Sequence, residues 1–147
     1  MSQFPSRNGL PIGRTPRVLL VLWSLFLLTG FSLAVYLEPD SRGFGTHQRL
    51  GLPPCTFREV FKVPCPSCGM TTSFAHFVRG QFLSSARANF AGLLLAAFCL
   101  VMIPWSWISA YKGQTWRLAK PEMGLIWLVV AILGICIVNW GIRLLWG

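Results

Sequence analysis

The sequence predicts an all-α membrane protein with three transmembrane helices and a short interfacial or re-entrant helix after a CxxC motif. Of the 147 residues, 54% are hydrophobic and only 12% are charged, a composition typical of membrane proteins. The apolar residues also lie in three unbroken runs, whereas a soluble domain of this length distributes them in short periodic stripes. The three runs therefore predict three spans.

The first apolar run, residues 18–37, contains no charged residue. A helix of roughly 20 residues spans the hydrocarbon core of a bilayer, about 30 Å at 1.5 Å per residue. A cleaved signal peptide has a shorter apolar region, so we interpret this run as a transmembrane helix. Residues 1–17, rich in Pro, Gly, Ser and Arg, predict a disordered cytoplasmic leader. A single membrane domain then covers residues 18–147.

The second and third apolar runs predict transmembrane helices over residues 90–111 and 124–146. Pro104 lies near the end of the second run, where a membrane helix tolerates a kink. Residues typical of membrane interfaces lie toward the ends of both runs: Trp105, Trp107, Tyr111, Trp127, Trp140, Arg143 and Trp146.

The distribution of basic residues predicts the orientation. Basic residues precede the first run and crowd the loop between the second and third: Arg7, Arg14, Arg17, Lys112, Arg117 and Lys120. Six more are spread over the much longer segment 38–89. The asymmetry favours a cytoplasmic N-terminus in a multi-pass protein of the bacterial inner membrane.

The net charge of +9 requires no nucleic acid, because orientation and contact with anionic headgroups explain a dispersed basic excess. The aromatic residues lie in or beside the apolar runs instead of alternating with a basic patch. The lipid bilayer is therefore the expected partner, with a membrane protein as a further candidate and no nucleic acid.

The segment 38–89 between the first two runs contains the CxxC motif. Its first part, up to Pro54, is punctuated by Gly and Pro and predicts a loop. Pro66 at the first helical position would make Cys65 the N-cap of a short helix, and the alternative N-cap is Thr71. Gly80 provides a stop, which leaves the helix too short to cross a bilayer.

Three cysteines of this segment, Cys55, Cys65 and Cys68, are the candidate site residues. A thiol near a helix N-terminus is favoured as thiolate, so one hypothesis is thiol–disulfide exchange with Cys65 attacking and Cys68 resolving. In an extracytoplasmic segment the three cysteines are also candidates for a structural disulfide. We favour the structural disulfide, because no second thiol pair or cofactor pocket is visible.

A Cys3His zinc site is the third hypothesis, with Cys55, Cys65 and Cys68 joined by His76 or by His47. No second CxxC pair exists and neither histidine has a diagnostic spacing, so we expect no metal and no cofactor. Two further cysteines, Cys99 and Cys136, fall within apolar runs and are interpreted as packing residues.

The arrangement of Cys55, nine residues, the CPSCGMT stretch at 65–71, then Gly80 and Asn89 resembles the DUF2752 family of small bacterial membrane proteins. The resemblance covers about residues 39–105. Family members usually have Arg after the Thr and Pro after the Asn, where this chain has Thr72 and Phe90.

The resemblance implies a membrane location and a cysteine motif but no activity, since the family is one of unknown function. The sequence contains no carboxylate pair, serine triad or glycine-rich phosphate loop. We therefore expect an integral membrane protein of unknown function, more a non-enzymatic component than an enzyme.

Overall fold

The computed structural model describes residues 9–116 and 121–146 and confirms the all-α class. Within those ranges it has six α-helices, one 3-10 helix and no strand. In chain order they are α1 Arg14–Tyr36, the 3-10 helix Thr46–Leu50, α2 Thr56–Phe61, α3 Met70–Phe77, α4 Phe82–Ala88, α5 Phe90–Lys112 and α6 Pro121–Trp146. Residues 1–8 of the predicted leader, Arg117 and Lys120 of the predicted cytoplasmic loop, and Gly147 lie outside the described residues.

Three helices, α1, α5 and α6, are long and apolar enough to cross a membrane. They confirm the three predicted spans, with ends that differ by a few residues. Large apolar side chains are exposed along all three, such as Phe26, Val101 and Ile137, as expected for surfaces that contact lipid. The boundary shifts are largest at the start of α1, at Arg14 instead of Val18, and of α6, at Pro121 instead of Gly124.

The chain divides into two compact units, residues 1–30 with 98–129 and residues 31–97 with 130–147. In the first unit the backbone of Leu10 and Ile12 pairs with the loop after α5. Ile12 N donates to Gly113 O at 2.9 Å, and Thr115 N donates to Leu10 O at 2.9 Å. These residues belong to the predicted disordered leader, and they are paired because the loop supplies partners for their N–H and C=O groups.

The second unit contains α2, α3, α4 and the motif between α2 and α3. Small buried polar side chains join its elements at short range. The Ser73 and Ser85 hydroxyl oxygens lie 2.8 Å apart between α3 and α4, and Thr46 and Thr72 hydroxyls lie 2.8 Å apart between the 3-10 helix and α3. Small residues of this kind let backbones approach closely.

The start of α3 differs from the prediction. Its N-cap is Gly69, with φ at 86°, instead of Cys65 or Thr71. A Cβ atom at position 69 would lie 2.6 Å from the Ala88 backbone oxygen, so only glycine allows this approach. The helix after the CxxC motif is confirmed, but the motif itself forms the turn that precedes it.

The segment 38–89 also contains more helix than the sequence indicates. The predicted loop before Pro54 includes the 3-10 helix, and α2 and α4 flank the motif and α3. These short helices are stabilised by packing in the second unit, since isolated helices of this length are marginal in water. They hold the motif on both sides.

Candidate functional site

Cys65 and Cys68 are the first and last residues of a tight turn ahead of α3. Cys68 N donates a hydrogen bond to Cys65 O at 3.0 Å. The end residues of a β-turn have Cα atoms less than about 7 Å apart, and disulfides form at Cα separations of roughly 4.4 to 6.8 Å. Both residues are free thiols, and the turn keeps their Cα atoms close enough in the chain for a disulfide between them to be considered.

The two thiols differ in exposure. Cys65 is half-buried, and its Sγ lies 3.4 Å from the Ser67 hydroxyl. Cys68 is buried, with 7% of its surface exposed. An external reactant therefore reaches Cys65 more readily than Cys68.

A cation lies beside the buried thiol. Arg58 of α2 places Nη1 4.0 Å from Cys68 Sγ. The Arg58 guanidinium carbon also lies 3.6 Å from the centroid of the Phe44 ring, a cation–π contact that holds the side chain in place. The sulfur that would carry negative charge during exchange thus has a positioned positive neighbour.

The thiols line a cavity of about 340 Å³, here called the thiol cavity. All three candidate cysteines line it, together with His47. His76, the histidine of the zinc hypothesis, does not line it and has Nδ1 2.6 Å from Gln81 Oε1. In the part of the chain that the structure describes, no group of three or more Cys, His, Asp or Glu side chains is arranged to hold a metal.

A second cavity of about 350 Å³, here called the basic cavity, lies next to the thiol cavity. The two cavities have four lining residues in common: Gly45, His47, Cys55 and Cys68. Arg42, which lines the basic cavity, donates from Nε to Asp40 Oδ1 at 3.0 Å and from Nη2 to Asp40 Oδ2 at 2.7 Å. These bonds hold the pKa of the Asp40 carboxyl well below its usual range.

Residues of α6 hold the backbone of the turn. Trp140 Nε1 donates to Pro64 O at 2.6 Å, Cys136 Sγ donates to Pro66 O at 3.2 Å, and Arg143 Nη1 donates to Cys68 O at 3.1 Å. The sequence predicts a packing role for Cys136 and interfacial anchoring for the other two. Their spacing of i, i+4 and i+7 places them on one helix face, a signal that could have grouped them.

Asn89 joins the turn to α5. Its Nδ2 donates to Cys68 O at 3.2 Å and to Pro66 O at 3.3 Å. Its Oδ1 accepts from Gly92 N at 3.1 Å, which caps the start of α5. The residue is 1% exposed, so both ends of its amide are used inside the protein.

One part of the chain is similar to a known protein family. Residues 55–103 match the model of the family described as "Protein of unknown function (DUF2752)". This stretch of the chain is similar to that family. The match confirms the family that the motif resembles and covers about a third of the chain. No curated protein and no solved structure matches the chain.

The matched region begins at Cys55 and ends within α5. It therefore includes the three candidate cysteines and Asn89, whereas the α6 residues that hold the turn lie outside it. With its three apolar helices, the chain is a multi-pass integral membrane protein. The description of the matched family names no activity.

Proposed function

We propose that this membrane protein takes part in thiol–disulfide exchange through Cys65 and Cys68. The observation that supports the proposal is the unequal exposure of two free thiols at the ends of one turn, with Cys65 half-buried and Cys68 buried. Exchange proteins need an accessible attacking thiol and a resolving thiol within bonding reach. Cys65 is the attacking thiol and Cys68 the resolving thiol.

The reaction balances with a protein or peptide disulfide as the oxidant. The Cys65 thiolate attacks one substrate sulfur, an S–S bond to Cys65 forms, the substrate bond breaks, and the departing thiolate takes a proton. Cys68, as thiolate, then attacks the Cys65 sulfur and releases the second substrate thiol. Two electrons pass from the dithiol to the substrate, and the reverse sequence oxidises a substrate dithiol.

The contacts of the turn favour exchange over the structural disulfide that the sequence analysis preferred. Side chains of Asn89, Cys136, Trp140 and Arg143 bind the turn's backbone oxygens. These bonds hold the turn's backbone through contacts that do not involve the Cys65 and Cys68 sulfurs. A turn held in this way presents its sulfurs in a constant position.

A structural disulfide is the second candidate, and the position of Cys55 favours it. Cys55 is the N-cap residue of α2 and lines the thiol cavity with the other two cysteines. A bridge from Cys55 to Cys65 or Cys68 would join α2 to the turn and leave one thiol free. The charge distribution supports placing this segment on the outer side of a bacterial inner membrane, where disulfides persist.

Alkylation of the purified protein across a series of redox buffers, read by mass spectrometry, tests the proposal. We expect the Cys65–Cys68 pair to titrate at a potential above about −300 mV, the range of exchangeable disulfides. Cys68→Ser should trap a mixed disulfide on Cys65, whereas Cys65→Ser should trap none. Cys99→Ser is the matched control and should leave the titration unchanged.

Two results would contradict exchange. A bridge that is fully oxidised, resists reduction and yields no trapped intermediate in Cys68→Ser would indicate a structural disulfide. Stoichiometric zinc in the purified protein would contradict both candidates, because metal-bound thiolates are available to neither.

A further inference from the structure

Two of the cations that line the basic cavity form no ion pair with any described residue. Within the described residues, ion pairs join Arg42 to Asp40 at 2.7 Å and Arg49 to Glu38 at 2.9 Å. Arg58 and Lys62 both line the basic cavity and have no carboxylate oxygen within 4.0 Å among the described residues. Glu59 also lines the cavity, and one carboxylate cannot neutralise both cations.

The backbone of Lys62 supports a role beyond solvation. Lys62 is the C-cap of α2 with φ at 56°, and it is the one non-glycine residue with positive φ in the described chain. Glycine or asparagine adopts this conformation at lower cost. Strained positions of this kind concentrate at ligand sites, and here the strained residue is a cation on a cavity wall.

The two cations line the same cavity as Cys55 and Cys68. Arg58 lies in the last turn of α2, and Lys62, its C-cap, donates a backbone hydrogen bond to Arg58 O at 3.1 Å. Arg58 is fixed over Phe44 and reaches Cys68 Sγ, and the basic cavity has Cys55 and Cys68 in common with the thiol cavity. A molecule in the thiol cavity with its sulfur at Cys65 can therefore reach into the basic cavity, which Arg58 and Lys62 line.

We infer that the dithiol acts on a small peptide disulfide that carries carboxylates, with a carboxylate bound by Arg58 and Lys62 while one of its sulfurs meets Cys65. The inference rests on the proposed exchange activity and adds the substrate class. Cavities of 340 and 350 Å³ are in the range that holds small ligands. Arginine is well suited to bind a carboxylate, since its guanidinium presents parallel N–H donors.

The test compares three small disulfides with the reduced, full-length protein in detergent at low ionic strength. Oxidised glutathione carries carboxylates, bis(2-hydroxyethyl) disulfide is neutral and cystamine is cationic. The rate of Cys65–Cys68 oxidation is measured for each disulfide. The rate with oxidised glutathione is divided by the rate with bis(2-hydroxyethyl) disulfide. This ratio for the folded protein is then divided by the same ratio for the unfolded chain. This ratio cancels changes in the intrinsic reactivity of the thiols.

We expect a normalised preference for oxidised glutathione on the order of tenfold, decreasing as salt screens the cations. Lys62→Gln, a change at an exposed residue, should lower the preference about threefold, and adding Arg58→Gln should abolish it. The matched control is Arg49→Gln, which removes a cation that is paired with Glu38 and lines neither cavity. Its preference should equal that of the unaltered protein.

The outcomes separate the two proposals. Three results would overturn the carboxylate site and leave exchange intact. They are oxidation by all three probes without preference, a preference for cystamine, and a preference for oxidised glutathione that survives in both variants. If the folded protein reacts with none of the probes while the unfolded chain reacts with all, the exchange proposal itself fails.

Discussion

Arg143 of α6 donates a hydrogen bond from Nη1 to the backbone oxygen of Cys68, 3.1 Å away, across 75 residues of chain. The bond joins a permanently charged donor to the last carbonyl of the turn from Cys65 to Cys68, here called the dithiol turn. Trp140 and Cys136, on the same face of α6, bind the carbonyls of Pro64 and Pro66. The position of the two thiols therefore depends on the last span as well as on the motif.

Arg143→Leu is expected to expose Cys68. A hydrogen bond from a charged group contributes about 1.5 to 3 kcal/mol, so local opening of the turn should become roughly tenfold more frequent or greater. The measurement is the alkylation rate of Cys68 in a Cys65→Ser background. Arg143→Lys retains a donor and should show a smaller increase, and equal rates in all three proteins would show that the bond does not position the turn.

Gly69→Ala is expected to destabilise the protein far more than Gly51→Ala. Both glycines have positive φ, at 86° and 76°, so both substitutions incur a conformational cost of roughly 1 to 2 kcal/mol. At Gly69 the added Cβ would also meet the backbone oxygens of Ala88 and Gly43 at 2.6 and 2.7 Å, whereas a Cβ at Gly51 would have no atom of the described residues within 4 Å beyond its chain neighbours. Thermal unfolding in detergent compares the two, and similar Tm losses would contradict the close approach at Gly69.

Arg79→Gln is expected to loosen the end of α1. Arg79 Nη1 donates to Ala34 O at 3.1 Å, and Nη2 donates to Val35 O at 2.9 Å. Carbonyls in the last turn of a helix have no partner within the helix, so the loss should lower the free energy of unfolding by about 1 to 2 kcal/mol at this partly exposed site.

The control for that prediction is Arg87→Gln, which removes an exposed cation of α4. It should change stability by less than about 0.5 kcal/mol, as surface substitutions usually do. Equal losses in Arg79→Gln and Arg87→Gln, measured by denaturant or thermal unfolding, would mean that the α1 end is held by other contacts.

A reporter fused after Gly147 is expected to be active on the outer side of the membrane. Three crossings invert the side on which the chain starts, and the basic flanks, including Arg14 and Lys112, favour a cytoplasmic N-terminus. Alkaline phosphatase and a fluorescent protein that folds only in the cytoplasm give opposite readouts. Cytoplasmic activity at this position would place the dithiol turn in a reducing compartment.

The sequence by itself determined the three spans, because a membrane helix satisfies its backbone hydrogen bonds internally and needs only an uncharged run of sufficient length. It also determined the family resemblance and the three candidate cysteines, because both depend only on the spacing of residues along the chain. The helix after the motif was predictable from local signals along the chain, with Pro66 near its start and Gly80 after its end.

Only the tertiary structure decided how the motif is held and which residues join it. Gly69 replaces Cys65 and Thr71 as the N-cap because the backbones of Gly43 and Ala88 approach it. His47, and not His76, lines the thiol cavity, and the α6 residues bind carbonyls 70 to 76 residues away. These contacts arise where separate segments of the chain meet, and no local periodicity or spacing encodes which segments meet.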